Sequence, residues 1–314
     1  MLNRRHIRVK VMQTMYAFKG SESDDLSKDQ KFLLFSIDNM YNLYLLLIDL
    51  LIEVQKRAEN DLQKKQKKHL ATKEDKDPNR KFVNNQLLKL LKDNIQLKDH
   101  FETHKINYWE LDNEYVDIIF RAITASDLYK EYMKTRVSDF KEDKDFIVDV
   151  FKDIIAPNEK LYEYLEDKNL TWLDDLPTVN TTILKLLRKV KVASPESFFT
   201  PKLFKDAEDK QFAIDLFKKT LLNRTAINKE IEQKTQNWDA DRIANVDYAL
   251  LQMAICELKN FPSIPVKVTI NEYLEISKEY STPKSSIFIN GILDKLVKEY
   301  ENAGELKKIG RGLL

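Results

Sequence analysis

Pro265-Val266-Lys267-Val268-Thr269-Ile270-Asn271-Glu272-Tyr273-Leu274-Glu275-Ile276-Ser277-Lys278-Glu279-Tyr280 reads as one helix opened by a proline. After a short break, Ser285-Ser286-Ile287-Phe288-Ile289-Asn290-Gly291-Ile292-Leu293-Asp294-Lys295 opens the next. Phe288, Ile292 and Leu296 share one face of it at helical spacing. Gly291 inside such a helix costs about 1 kcal/mol against alanine. It marks either a close helix approach or a surface kept clear for a partner. Asn290 beside it is suited to capping, to bridging, or to reading a base edge.

Working outward, the same periodicity fills the chain. Residues 205–235 and 240–259 read as helices upstream of this pair, and 82–98, 112–136, 142–155, 158–167 and 177–192 as further helices. Residues 30–60 carry Leu33, Ile37, Met40, Tyr44, Leu47, Leu51, Val54 and Ala58 in alternating steps of four and three. Such a seam either packs into a core or pairs two copies. Residues 4–19 form an amphipathic helix with Ile7, Val11, Thr14 and Phe18 on one stripe, ended by Gly20. Only 5 glycines and 8 prolines occur in 314 residues. Sheet-rich folds need more turn residues than that, so the expected fold class is all-α.

Composition restricts function. No GxxxxGK[ST] or GxGxxG stretch occurs, which removes phosphate-cradling loops. The single cysteine, Cys256, leaves no internal disulfide and no cysteine-built zinc cage, and fits a reducing cytoplasm. It lies in an apolar helix, where an inert buried thiol is expected. Met12 to Phe18 is too polar for a signal core, and the apolar run Leu43–Ile52 is interrupted by Asp49. A soluble cytoplasmic protein is expected. His100 and His104 share a helix face around Glu102 but lack a third ligand nearby, so no metal is expected. Asp174-Asp175 and Asp239/Asp241 precede helices and read as caps. No catalytic constellation and no cofactor is expected.

With a net charge of +1, any nucleic-acid site must be a local patch. Arg4, Arg5, Arg8, Lys10 and Lys19 fall within twenty residues free of Asp and Glu. Guanidinium forks suit phosphates and base edges, and Tyr16 on the same helix offers a stacking ring. Lys64, Lys65, Lys67 and Lys68 form a second basic run at a frayed helix end, read as a solvated face or an RNA contact.

Several motifs, in order, resemble the NusB family of bacterial transcription antitermination factors. The pattern P-x-K-V-x-I-N-E followed by E-[LI]-[AS]-K runs from Pro265 to Lys278, and S-x-x-F-[VI]-N-G-[VI]-L-D-K from Ser285 to Lys295. Arg242 to Asp247 with Ala254 to Leu258 is similar to R-[IL]-x-x-V-[DE] … A-x-x-E-L. Arg4, Arg5, Arg8, Gln13, Met15 and Tyr16 fit R-R-x-x-R-x-x-x-x-Q-x-[LM]-Y. Val9 stands where the family usually has an acid, and Ile7 and Val11 are larger than usual.

The resemblance covers about residues 1–20 and 205–300, and the long middle is similar to the elongated form of Bacteroidetes-type relatives. It implies a NusB-like bundle of two helical subdomains with a large helical insertion. The divisions are an arginine-rich helix at 1–20, an insertion at 21–204, a helical domain at 205–303 and a flexible tail at 304–314. It implies binding of boxA-like single-stranded RNA in ribosomal RNA transcripts, together with the ribosomal protein NusE, other Nus factors and RNA polymerase. Carried over by position, Arg4, Arg5, Arg8, Tyr16, Ser285, Phe288 and Asn290 are expected on RNA. Asp247 and Glu257 are expected to face NusE. An RNA methyltransferase with a NusB-like front would need a glycine-rich cofactor loop and a nucleophilic cysteine downstream, and none follows. A helical scaffold without RNA binding is the remaining alternative.

Overall fold

The computed structural model describes residues 1–17, 26–67, 72–235 and 243–313, and among them there is no strand. Phe18, Lys19, Gly20, Lys68, Asp239, Asp241 and Arg242 lie outside the described residues. The protein is all-α. The chain divides into two compact units, one of Met1 with Asp38–Leu203, the other of Leu2–Ile37 with Phe204–Leu314.

The first helix, α1, spans Arg4–Ala17 and the second, α2, spans Leu26–Gln66. All eight seam residues of α2, from Leu33 to Ala58, are buried within the chain, so the seam is a core face. By length and composition α2 is apolar enough to cross a membrane, but 83% of its apolar window is buried in the protein. Lys65 sits on its last turn, paired to Asp61 at 2.8 Å, where a frayed end was expected.

In the larger unit follow α3 (Lys73–Lys76), α4 (Gln86–Asp93), α5 (Ile95–Thr103), α6 (Tyr108–Leu111), α7 (Asn113–Ala125) and α8 (Asp127–Tyr132). Then come α9 (Phe140–Val150), which runs into a wider turn at Phe151–Ile155, α10 (Glu159–Lys168) and α11 (Leu176–Lys189). Two stretches expected as single helices are each split by a cap. Asn94 turns extended between α4 and α5 and accepts the Leu97 N–H at 2.8 Å. Ser126 does the same before α8, accepting from Tyr129 at 3.1 Å. Short polar side chains compete with the backbone in this way and so favour caps over helix interiors. Asp175 precedes α11 but accepts no capping bond from it. Indole N–H groups tie α2 to its neighbours, Trp109 donating to Leu46 O at 3.0 Å and Trp172 to Asn39 O at 2.9 Å.

The other unit contains α1 with α12 (Ala207–Leu222), α13 (Arg224–Thr235), α14 (Asn245–Asn260), α15 (Val266–Tyr280) and α16 (Ser285–Asn302). The span 205–235 is thus two helices, broken at Asn223. α14 is the axis of the unit: α1, α12, α13, α15 and α16 all pack on it. Every residue from Ala249 to Leu258 is buried, the pattern of a helix apolar all round. Cys256 is among them, and burial pushes its thiol up to about 11.

α16 ends on Gly304, at φ +67°, with the Glu305 N–H donating to Tyr300 O at 2.8 Å and the Gly304 N–H to Glu301 O at 3.1 Å. This paired left-handed cap reverses the chain. The segment after it was expected to be mobile. Instead it is hydrogen-bonded back onto the turn between α14 and α15, with the Ile309 N–H donating to Pro262 O at 3.1 Å.

Candidate nucleic-acid interface

α1 turns Ile7, Val11, Met12 and Met15 into the core. Arg4 and Arg8 are one turn apart, so Arg8 follows them inward while Arg4 stays at the edge. Arg8 is only 2% exposed, and Glu257 of α14 is fully buried. Arg8 donates from Nε to Glu257 Oε2 at 2.8 Å and from Nη2 to Oε1 at 2.7 Å. Glu257 also accepts from Thr269 Oγ1 at 2.8 Å and from the Tyr273 hydroxyl at 3.1 Å. The Arg8 guanidinium lies over the Phe212 and Tyr273 rings, at 5.2 and 5.8 Å from their centroids. Burial alone pulls the Arg8 pKa down, but the Glu257 carboxylate and its hydrogen bonds outweigh this and hold it above its ordinary value. Burial likewise holds Tyr273 protonated far above the usual phenol range.

This pair corrects two expectations. Neither stands out from the surface as expected: Arg8 and Glu257 are buried against each other, and Arg8 Nη1 lies 3.6 Å from a second carboxylate, Glu272, on the cavity side. Together they fix α1 on α14. Asp247 and Ser285 are also internal: the Ser285 hydroxyl donates to Asp247 Oδ2 at 2.6 Å, pinning the start of α16 to the start of α14. Both were expected at surfaces, and both instead hold a neighbouring surface in place.

Arg4 and Arg5 remain accessible, at 40% and 41% side-chain exposure. Arg5 grips Glu272 with Nε and Nη2, both at 2.9 Å, and this holds the Glu272 carboxyl below its usual range. Arg4 donates from Nε to Asp209 Oδ1 at 3.0 Å and stacks over Phe212. A guanidinium has five N–H donors, so these carboxylates orient the forks without consuming them. The three arginines and Glu272 border an open cavity of about 1090 Å³, shared with Ile264, Pro265 and Val268 from the start of α15.

Tyr16, half exposed at 51%, stands twelve residues beyond Arg4, about 18 Å along the helix axis. The structure therefore places it away from the arginine cavity, beside Arg224, Asn245 and Tyr248. Phe288 and Asn290 are half-buried on the first turns of α16. Asn290 donates to Asp294 Oδ2 at 2.8 Å. Gly291 is exposed, and a Cβ there would meet nothing within 4 Å, which excludes close helix packing as its cause. Ile287, 76% exposed on the same outer surface, carries no periodic signal in the sequence, although it lies inside the motif. From Glu272 to Tyr280, α15 runs about 12 Å further before the turn into α16. It links the arginine end to the Phe288 end. His100 and His104, in the larger unit, stack at 6.1 Å and bond to Tyr41 and Asn42; no group of three metal donors occurs among the described residues.

Residues 193–298 match the NusB family model. The chain is 41% identical to the transcription antitermination protein NusB of Salinibacter ruber over 112 residues, which are 36% of this chain and 70% of that protein. The chain belongs to the NusB family. This NusB-family chain is also 38% identical to the protein of the same name from Chloroherpeton thalassium over 129 residues, covering 41% of this chain and 61% of that one. With the Geotalea uraniireducens protein the identity is 45% over 85 residues, 27% of this chain and 59% of the relative. The match thus spans about three fifths of the length of these last two relatives. No solved structure matches the chain.

Proposed function

We propose that this NusB-family chain is a non-enzymatic, cytoplasmic RNA-binding factor acting in transcription antitermination. It binds a boxA-like single-stranded element of ribosomal RNA transcripts together with NusE. With other Nus factors it acts on termination by RNA polymerase. Arg4, Arg5, Phe288 and Asn290 are its RNA contacts, with Tyr16 at the far end of α1. The unit of Leu2–Ile37 with Phe204–Leu314 is the RNA-binding body, and Asp38–Leu203 an insertion with its own role.

The observation that supports this reading best is the state of the arginines. Two accessible guanidinium groups are oriented on the rim of a cavity, and a third anchors the helix that carries them. Phosphate contacts position an RNA, and ring and amide groups read it. The test is fluorescence anisotropy with a boxA-like leader RNA, with and without NusE, over a salt series. Arg4→Ala and Arg5→Ala should each weaken binding and reduce the log–log salt slope by about 0.7 for each phosphate no longer neutralised. NusE should tighten the wild-type complex. A folded protein that binds no RNA in either condition would refute the proposal in favour of a protein-only scaffold.

A further inference from the structure

We infer that Glu305–Leu313 forms a third wall of the arginine cavity and contacts the nucleotide bound there, an inference that rests on the RNA-binding reading above. The segment is directed to the cavity by the cap at Gly304 and held by three anchors. Glu305 pairs with Lys259 at 3.1 Å, Lys308 Nζ donates to Phe261 O at 3.2 Å, and the Ile309 N–H donates to Pro262 O at 3.1 Å. The second anchor puts a cation on the C-terminal end of α14, where the helix dipole favours it. The approach is closest at Gly312, where a Cβ would overlap the backbone oxygen of Pro262. Only glycine fits there, so the seating of the segment is specific.

Seating it there brings Ile309 and Gly310 into the same cavity as Arg4, Arg5, Ile264, Pro265 and Val268. Ile309 is 59% exposed and Val268 44%, although each borders an apolar shelf. Arg4 and Arg5 each commit part of their fork to a carboxylate, Asp209 and Glu272, and keep N–H donors to spare at the rim. A ligand suited to this cavity has an anionic part for the forks and a flat, largely apolar part for the shelf. A nucleotide of single-stranded RNA has both, and a volume of about 1090 Å³, just above the usual range of small-ligand pockets, leaves room for it.

The test uses two variants of the full chain and the same boxA-like RNA. Ile309→Ser removes the shelf side chain but none of the backbone anchors. Gly312→Val drives a side chain into Pro262 and unseats the segment. Each should weaken binding about fivefold to tenfold because less apolar surface is buried. The salt slope should stay unchanged in Ile309→Ser, since that substitution moves no cation. If both bind within twofold of wild type while Arg4→Ala weakens binding, the inference falls and the RNA reading stands. If Gly312→Val binds more tightly, the segment occludes the cavity rather than lining it, and the inference is overturned. A wild-type protein that binds no RNA would sink both. Should Gly312→Val fail to fold, Ile309→Ser decides alone, since Ile309 is largely exposed.

Discussion

Replacing Glu257 with alanine would take the Arg8 guanidinium's bidentate partner from a site only 2% exposed and leave it Glu272 alone, at 3.6 Å from Nη1. Removing one partner of a buried ion pair costs about 3–5 kcal/mol. Thr269 and Tyr273 would each lose an acceptor as well, but these losses share one site and do not simply add. At about 1.4 kcal/mol per decade, the opening equilibrium of this unit should rise by about two to three and a half decades. Hydrogen exchange read by mass spectrometry on α1 and α14 peptides measures it, with α4 and α5 peptides as an internal control. Exchange should accelerate strongly in the first set and stay unchanged in the second. Arg8→Met combined with Glu257→Met should recover most of the loss, because it leaves no buried charge. An acceleration below about tenfold in Glu257→Ala would refute the anchoring role.

Gly291→Ala should stabilise α16 by up to about 1 kcal/mol, since its Cβ meets nothing within 4 Å; a lower melting temperature would contradict the open surface. If that surface receives RNA, the same variant should weaken RNA binding, which anisotropy reads directly. Burial, with Glu53 nearby, pushes Asp49 up to about 7. A raised carboxyl pKa means that the folded state holds a proton which the unfolded state has released. Stability should therefore fall as pH rises from about 4 to about 7, and Asp49→Asn should flatten that slope in urea titrations at several pH values. The Arg5–Glu272 pair has the opposite sign, because Glu272 is held below its usual range. Its contribution is complete above the ordinary glutamate range and is lost as pH falls through the depressed value. Carboxyl NMR should show the Glu272 midpoint moving up in Arg5→Ala.

Much of the fold is legible because it is written in local spacing. The Ile7 and Val11 stripe and the α2 seam are buried as their periods predict. The break at Asn94 is hidden because the Leu-rich pattern continues through it, and the asparagine side chain is the signal that marks it. The site is legible at Arg4 and Arg5 and misleading at Arg8 and Glu257. Their pairing spans 249 residues, and no local pattern encodes such a distance. A signal is still present: Glu257 is an acid inside the apolar run Ala254-Ile255-Cys256-Glu257-Leu258. A charge in that setting is almost never buried without a partner. Gly304 reads as the onset of a loose end because glycine permits both a stop and a reversal, and only the tertiary contacts decide between them.

The same separation has a consequence for synthesis. α1 leaves the ribosome well before α14, since Glu257 follows Arg8 by 249 residues. At about 5–20 residues per second, α1 waits about 12–50 s for its counterpart. Through that interval Ile7, Val11, Met12 and Met15 have none of α14 to pack on, while the intervening Asp38–Leu203 unit is completed. The nascent chain thus carries an unfinished apolar helix throughout the synthesis of those 249 residues. Slowing elongation should lengthen that exposure and raise its dependence on chaperones that shield apolar segments.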